Sequence, residues 1–236
     1  MSVLEPAADS GAPVGLRVDP SPAALPGRVQ LPGRDVDLLP LDPEDHAPAL
    51  WESLGNKAND DLWAYLFDGP FSAAGEFQAT VTRLCQADAY HFFAIVNHAT
   101  KRPLGWAALM RIEPRHRCIE VGYILYTPAL QRTREATEAM YLLARYVFEE
   151  LGYRRYEWKC DALNAASRRA ALRLGFTFEG VFRQHMIVKG RNRDTAWFSI
   201  LDSEWPARRA RLENWLLPSN FDRQGQQKTA LAEMLL

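Results

Sequence analysis

Cysteine is scarce and scattered. Cys85, Cys118 and Cys160 are the only three in 236 residues, and no two stand as CxxC. That spacing argues against a disulfide framework or a cysteine zinc site and predicts reduced thiols and no metal. No run of about 18 apolar residues occurs, so no membrane-spanning helix is expected. The N-terminus lacks a basic region followed by an apolar run; we expect no signal peptide and a cytoplasmic protein. Neither sign of charge dominates, with 28 Lys and Arg against 29 Asp and Glu. A net charge of −1 gives no argument for wholesale nucleic-acid binding or for an anionic membrane surface. No internal repeat is visible. The length suits one well-buried domain with appendages.

Residues 1–33 are crowded with Pro, Gly and Ala, a composition that cannot bury a core by itself. They read as a flexible arm, or as an extended segment laid on the surface. A first strand is expected over Asp35–Leu41. Asp42 then serves as N-cap, with Pro43 at the first helical position, for a helix towards Leu54. Trp63, Tyr65 and Phe71 belong to an aromatic segment that is either a core corner or one wall of a pocket. Ser72 is expected to cap a second helix, to Gln86. Strands follow at Phe92–Val96 and Leu104–Ile112, the latter carrying Trp106. The short connections imply an antiparallel meander. After a long helix comes a strand at Arg154–Cys160. Then follow a helix capped by Asn164 and ended by Gly175, and strands at 176–181, 183–188 and 195–201. The 189–194 stretch between the last two, KGRNRD, reads as a polar, basic loop. A helix over Ser203–Leu217 and a loosely attached tail end the chain. The pattern is α/β (α+β): a mixed, mostly antiparallel sheet with one internal parallel pair.

The chain turns on residues 119–152. Ile119, Val121, Tyr123 and Leu125 alternate with Glu120, Gly122 and Ile124, as in a strand. Pro128 stops it, and Met140, Leu143, Val147 and Leu151 recur at helical steps from Arg134 onwards. A short loop between strand and helix aims backbone N–H groups and the positive helix end at one point. That makes an anion site suited to phosphate. If the central parallel strands splay, an extended amide arm can lie between them.

EVGYIL at 120–125, QRTREA at 131–136 and NAASRRAALRLGF with FEG at 164–180 occur in that order. With this strand–helix pattern the sequence, over about residues 34–217, resembles the GNAT superfamily of acyl-CoA-dependent N-acetyltransferases, and within it the RimJ/RimL-like branch. The resemblance implies acetyl-CoA as co-substrate and an amine acceptor, a small molecule or a protein N-terminus. An exposed sheet edge or the proline-rich arm offers a route to a homodimer. It assigns the pyrophosphate loop to Gln131, Arg132, Thr133, Arg134, Glu135 and Ala136. Arg134 stands where the family usually has glycine, so its side chain is expected to meet phosphate in place of close backbone approach.

Direct attack of an amine on the thioester needs a base, for which Glu120 is the candidate. A strand bulge would supply an oxyanion donor. The family's thiol-protonating Tyr is replaced by Ala171, which leaves Ser167 as the nearest proton donor. Asn164 and Arg168 would contact the cofactor. Glu157 and Lys159 share a strand face that is expected to be partly wet. With Trp63, Tyr65, Phe71 and Trp106 they are the candidate acceptor contacts. Two other readings stay open. One is a different donor, another acyl-CoA or aminoacyl-tRNA; the other is a CoA-binding module without catalysis.

Overall fold

The computed structural model describes residues 4–6 and 13–234. β1 (Leu4–Pro6) and β2 (Pro13–Gly15) form a small antiparallel pair. The main sheet has eight strands: β3 (Leu31–Pro32), β4 (Val36–Pro40), β5 (Tyr90–Asn97), β6 (Pro103–Glu113), β7 (Cys118–Tyr126), β8 (Arg155–Asp161), β9 (Thr177–Val188) and β10 (Arg191–Leu201). Their order is β3-β4-β5-β6-β7-β8-β10-β9. All neighbours are antiparallel except β7 and β8, which pair in parallel. A parallel pair needs a crossover. It is supplied by α3 (Arg134–Arg145), extended by a π turn over Tyr146–Glu150.

The helices divide between the two faces. One face carries α3, α4 (Ala165–Leu174) and α5 (Trp205–Leu216). Leu143, Val147, Tyr156, Phe198 and Trp215 lie in the core they form with the sheet. The other face carries α1 (Pro43–Leu54) and α2 (Ala74–Gln86), packed with Leu50, Phe77, Phe92 and Trp106. This second core draws nothing from β8, β9 or β10. On that half of the sheet the face lacks a helical cover and is charged instead. Each fully buried leucine stabilises the fold by about 1.5–3 kcal/mol, and Leu143 is one of them, with no exposed surface.

Several details depart from the sequence expectations. Asp42 caps α1 through the Glu44 and Asp45 N–H groups, as expected. Ser72 does not cap α2: Ala73 holds that position without a side-chain bond, and Ser72 donates from both its backbone N–H and its hydroxyl to Glu76. The expected strands at 176–181 and 183–188 are one, β9. KGRNRD is not a loop. Only Lys189 and Gly190 turn, both at positive φ, and Arg191, Asn192 and Arg193 are strand residues. Positive φ at both central residues gives the twist a two-residue hairpin needs.

Among the described residues the arm and the tail are held down; the expectation for residues 1–3 and 7–12 lies outside them. Ala23 and Ala24 donate to the Pro114 and Leu151 carbonyls. Leu31 is buried. Glu138 on α3 accepts from the Arg34, Asp35 and Val36 N–H groups, which fixes the entry into β4. The tail is not loose: Asn220 bonds the Trp215 and Thr229 backbones, Trp215 Nε1 donates to Gln227, and Leu231 is buried against the main core.

Candidate active site

β7 and β8 pair only as far as Val121 and Trp158. Beyond that register, residues 122–126 and 159–161 continue as strands without pairing to each other, so the sheet opens into a slot. A bulge in β7 lies at its mouth. Ala108 faces Gly122 and Trp106 faces Leu125, which leaves Tyr123 and Ile124 opposite Ala107 alone. Tyr123 takes φ +51°. The bulge reverses the strand's alternation. Ile119 and Val121 face the α3 core, whereas Tyr123 and Leu125 face the α1–α2 core. The four do not share one face, because an extra residue turns every later side chain over. The Tyr123 hydroxyl donates to Asp68.

Below the slot the chain enters α3. Thr133 is the N-cap: its hydroxyl accepts from the Ala136 N–H and donates to the Leu130 carbonyl. Arg132 takes φ +61°. The N–H groups of Arg132, Arg134 and Glu135 have no partner among the described residues. Gln131 is exposed, and its side-chain amide reaches the Tyr126 carbonyl at 3.5 Å. The Arg134 side chain turns away from this cluster. It pairs with Asp35 at 2.6 Å and lies over the Phe221 ring at 4.8 Å. The expectation of a guanidinium on phosphate is therefore corrected, since that charge is already matched. What remains at the helix start is backbone N–H and dipole, the elements that bind anions.

Glu120 is 4 % exposed. It pairs with Lys159 at 3.0 Å and Arg111 at 3.2 Å. Burial pushes its carboxyl above the ordinary value, and the two cations only partly offset this. Gly122 keeps the space beside it clear: a Cβ there would lie 2.6 Å from Met110 Sδ and 3.1 Å from Glu120 Oε1. Lys159 also pairs with Glu157 at 2.7 Å and sits 3.9 Å from the Trp197 ring centre. Arg155 bonds Glu157 and Glu179. Burial raises the Glu157 carboxyl, but Arg155 and Lys159 outweigh it, and the net shift is downwards. Glu157 and Lys159 thus do not line a wet cleft. Their side chains are 12 % and 4 % exposed, and they neutralise each other and Glu120.

On the far wall, Asn164 caps α4 by accepting from the Ser167 N–H. Ser167 Oγ accepts from Trp158 Nε1 at 2.9 Å, which leaves its proton free to donate. Arg168 reaches the Ala162 carbonyl and the Phe178 ring. Burial raises the Cys160 thiol, so it is not an activated nucleophile. Trp63 and Trp106 are 3 % and 1 % exposed and pack with Phe71 and Phe77; they form core rather than pocket wall. Tyr65 is exposed, and its hydroxyl donates to the Leu163 carbonyl across the slot's end. The sequence reading missed Arg111 and the Tyr123–Asp68 bond, neither of which has a local signal; Arg193 belongs to the basic 189–193 stretch, which the sequence offers as a sign of an acceptor with anionic parts. A recess of about 220 Å³ beside Cys85 and His91 lies away from this chemistry.

A parallel pair opened at its end, with bare helix N–H groups below and a buried carboxylate at the mouth, defines an acyltransferase of the GNAT fold. Residues 35–177 match the family described as the acetyltransferase (GNAT) domain, and the chain belongs to that family. A GCN5-related N-acetyltransferase from Brucella melitensis is 46 % identical over 91 % of this chain and 97 % of its own, with a TM-score of 0.88. A probable GNAT-family acetyltransferase from Chromobacterium violaceum is 39 % identical, covering 86 % and 99 %, with a TM-score of 0.76. The Bacillus subtilis N-acetyltransferase YoaA, described as uncharacterized, is 33 % identical over 46 % of this chain; the match spans 61 % of YoaA. Among the described residues no helix is long and apolar enough to cross a membrane, and no metal-ligand cluster occurs.

Proposed function

We propose that the protein transfers an acetyl group from acetyl-CoA to a primary amine by direct attack, as a RimJ/RimL-like enzyme. The observation that carries this reading is the slot where β7 and β8 part, with Glu120 beside it. The free N–H groups at the start of α3 suit the pyrophosphate, with Gln131, Arg132, Thr133, Glu135 and Ala136 forming the loop and Arg134 contributing only its backbone. The unpaired strand edges suit the amide arm, and Asn164 and Arg168 flank it. When bound, acetyl-CoA supplies the activated acyl thioester.

Glu120 takes the amine proton directly or through one water, because an ammonium has no lone pair. Lys159 and Arg111 favour the ionised carboxylate against its burial and fix its position. An N–H at the β7 bulge serves the developing oxyanion. Ser167 gives its proton to the departing thiolate, while Trp158 holds its oxygen in place. The C–N bond forms as the C–S bond breaks; of the two protons the ammonium loses on becoming an amide, one ends on Glu120 and the second leaves the new C–N nitrogen for solvent, from which Ser167 is replenished. Two assays test the reading: melting with and without acetyl-CoA, and thiol release with a panel of amines. Ligand at about a hundred times its Kd should add about 2.7 kcal/mol of stability. No melting shift in a folded sample would refute the donor, and a shift without thiol release from any amine would refute the transfer.

A further inference from the structure

Arg193 is the unmatched charge of this site. Its residue is 8 % exposed, no carboxylate lies within ion-pair distance, and its Nε has no hydrogen-bond partner among the described residues. Its guanidinium lies over the Phe67 ring at 5.6 Å, and Phe67 packs on Tyr123 at the β7 bulge. Arg193 stands on β10 just before Thr195, which pairs with Asp161 at the open end of β8. Four residues beyond Arg193, Trp197 Nε1 is also buried without a partner among the described residues. The cations next to Glu120 and Glu157 are taken, Lys159 and Arg111 by Glu120, and Arg155 by Glu157 and Glu179. A cation over one ring recovers only part of the solvation that burial removes. A buried arginine left this way is poised for an anion from outside the chain.

We propose that the acceptor amine carries an anionic group, carboxylate or phosphate, and that Arg193 is its anchor. This rests on the acyl-transfer reading of the same site. The anion enters over the open end of β8, beneath Phe67, while the amine points into the slot towards Glu120. Burial lowers the guanidinium's proton affinity, with Asp161 the main opposing pull. A bound anion would restore what burial takes away.

Thiol release with acetyl-CoA would be measured on the full chain with matched amines. One arm compares L-amino acids with their amides, and the other compares O-phosphoethanolamine with ethanolamine. We expect kcat/KM to favour one anionic series over its neutral partner by about tenfold to a hundredfold. Arg193→Met should abolish that preference and Arg193→Lys should keep part of it. Equal use of anionic and neutral amines would overturn the anchor and leave acyl transfer standing. If no amine turns over, melting decides. Anionic members should stabilise the wild type and not Arg193→Met or Arg193→Gln, and an equal response, or none, would overturn the proposal. The acetyl-CoA melting shift, measured alongside, reports separately on the donor. A cooperative melt of each variant excludes misfolding.

Discussion

Lys159→Met is the most informative single change. The ammonium lies 3.0 Å from Glu120 and 2.7 Å from Glu157, with 4 % of its side chain exposed. At an effective dielectric constant of about 20, each contact is worth about 5–6 kcal/mol. Burying the ammonium costs several kcal/mol in return. Glu120 and Glu157 face each other in the parallel register. Without Lys159 they would repel, with only Arg111 and Arg155 to offset them. Removing one partner of a buried pair typically costs about 3–5 kcal/mol, and we expect a loss in that range near neutral pH. The cost should depend on pH. Glu120 has its folded carboxyl above the unfolded value, so the native state binds more protons, and its contribution to stability is lost as pH rises through that value. Losing Lys159 raises it further. The variant should therefore be closer to wild type at pH 5 than at pH 8. Urea denaturation at both pH values measures this, with Lys159→Met/Glu120→Gln completing the cycle. The double variant should recover at least about half of the loss. A single-variant cost below about 1 kcal/mol, or one independent of pH, would refute the reasoning.

Glu120→Gln should lower kcat by about 10²- to 10⁴-fold while the fold is retained. The wild-type rate should rise with pH through a limb above the ordinary carboxylate range, because only the ionised form accepts a proton; a pH–rate profile of the variant should lack that limb. Ser167→Ala should reduce kcat by about tenfold or more and leave the acetyl-CoA Kd nearly unchanged by titration calorimetry. It should also cost about 1 kcal/mol in denaturation, because Trp158 Nε1 loses its acceptor. Arg134→Ala should destabilise the fold by about 1–3 kcal/mol and expose the tail to protease. Its acetyl-CoA Kd should shift less than about threefold, since the anion donors are backbone N–H groups.

Legibility followed the range of the interaction. α1, α3 and α4 were visible because their caps or apolar spacing are local: Asp42, Asn164 and Gly175 all sit where the sequence placed them, and α3 starts at Arg134 as its spacing implies. So was the parallel pair, which the intervening helix requires. The β7 bulge was not visible as a fact, because nothing in the residue type of Tyr123 marks a positive φ. The Lys159–Glu120 pair was hidden for a different reason. It joins residues 39 apart in the chain, and only the β7–β8 register brings them together. Trp63 and Trp106 were ambiguous because an aromatic segment reads the same whether or not helices cover it, and here α1 and α2 do. Arg134 misled by position. The motif places it at the phosphate loop, while Asp35 and Phe221, distant in sequence, claim its side chain.

That last contact bears on how the molecule is made. Asp35 belongs to the start of the domain, Arg134 to its middle, and Phe221 to a segment translated after α5. A growing chain can form the Arg134–Asp35 pair long before Phe221 leaves the ribosome. Until then the guanidinium lacks its aromatic neighbour, and the helix start is propped from one side only. Proteins terminated prematurely after α5 would keep every residue of the slot and the loop beneath it, yet lose one of the two supports that steer Arg134 away from the anion site.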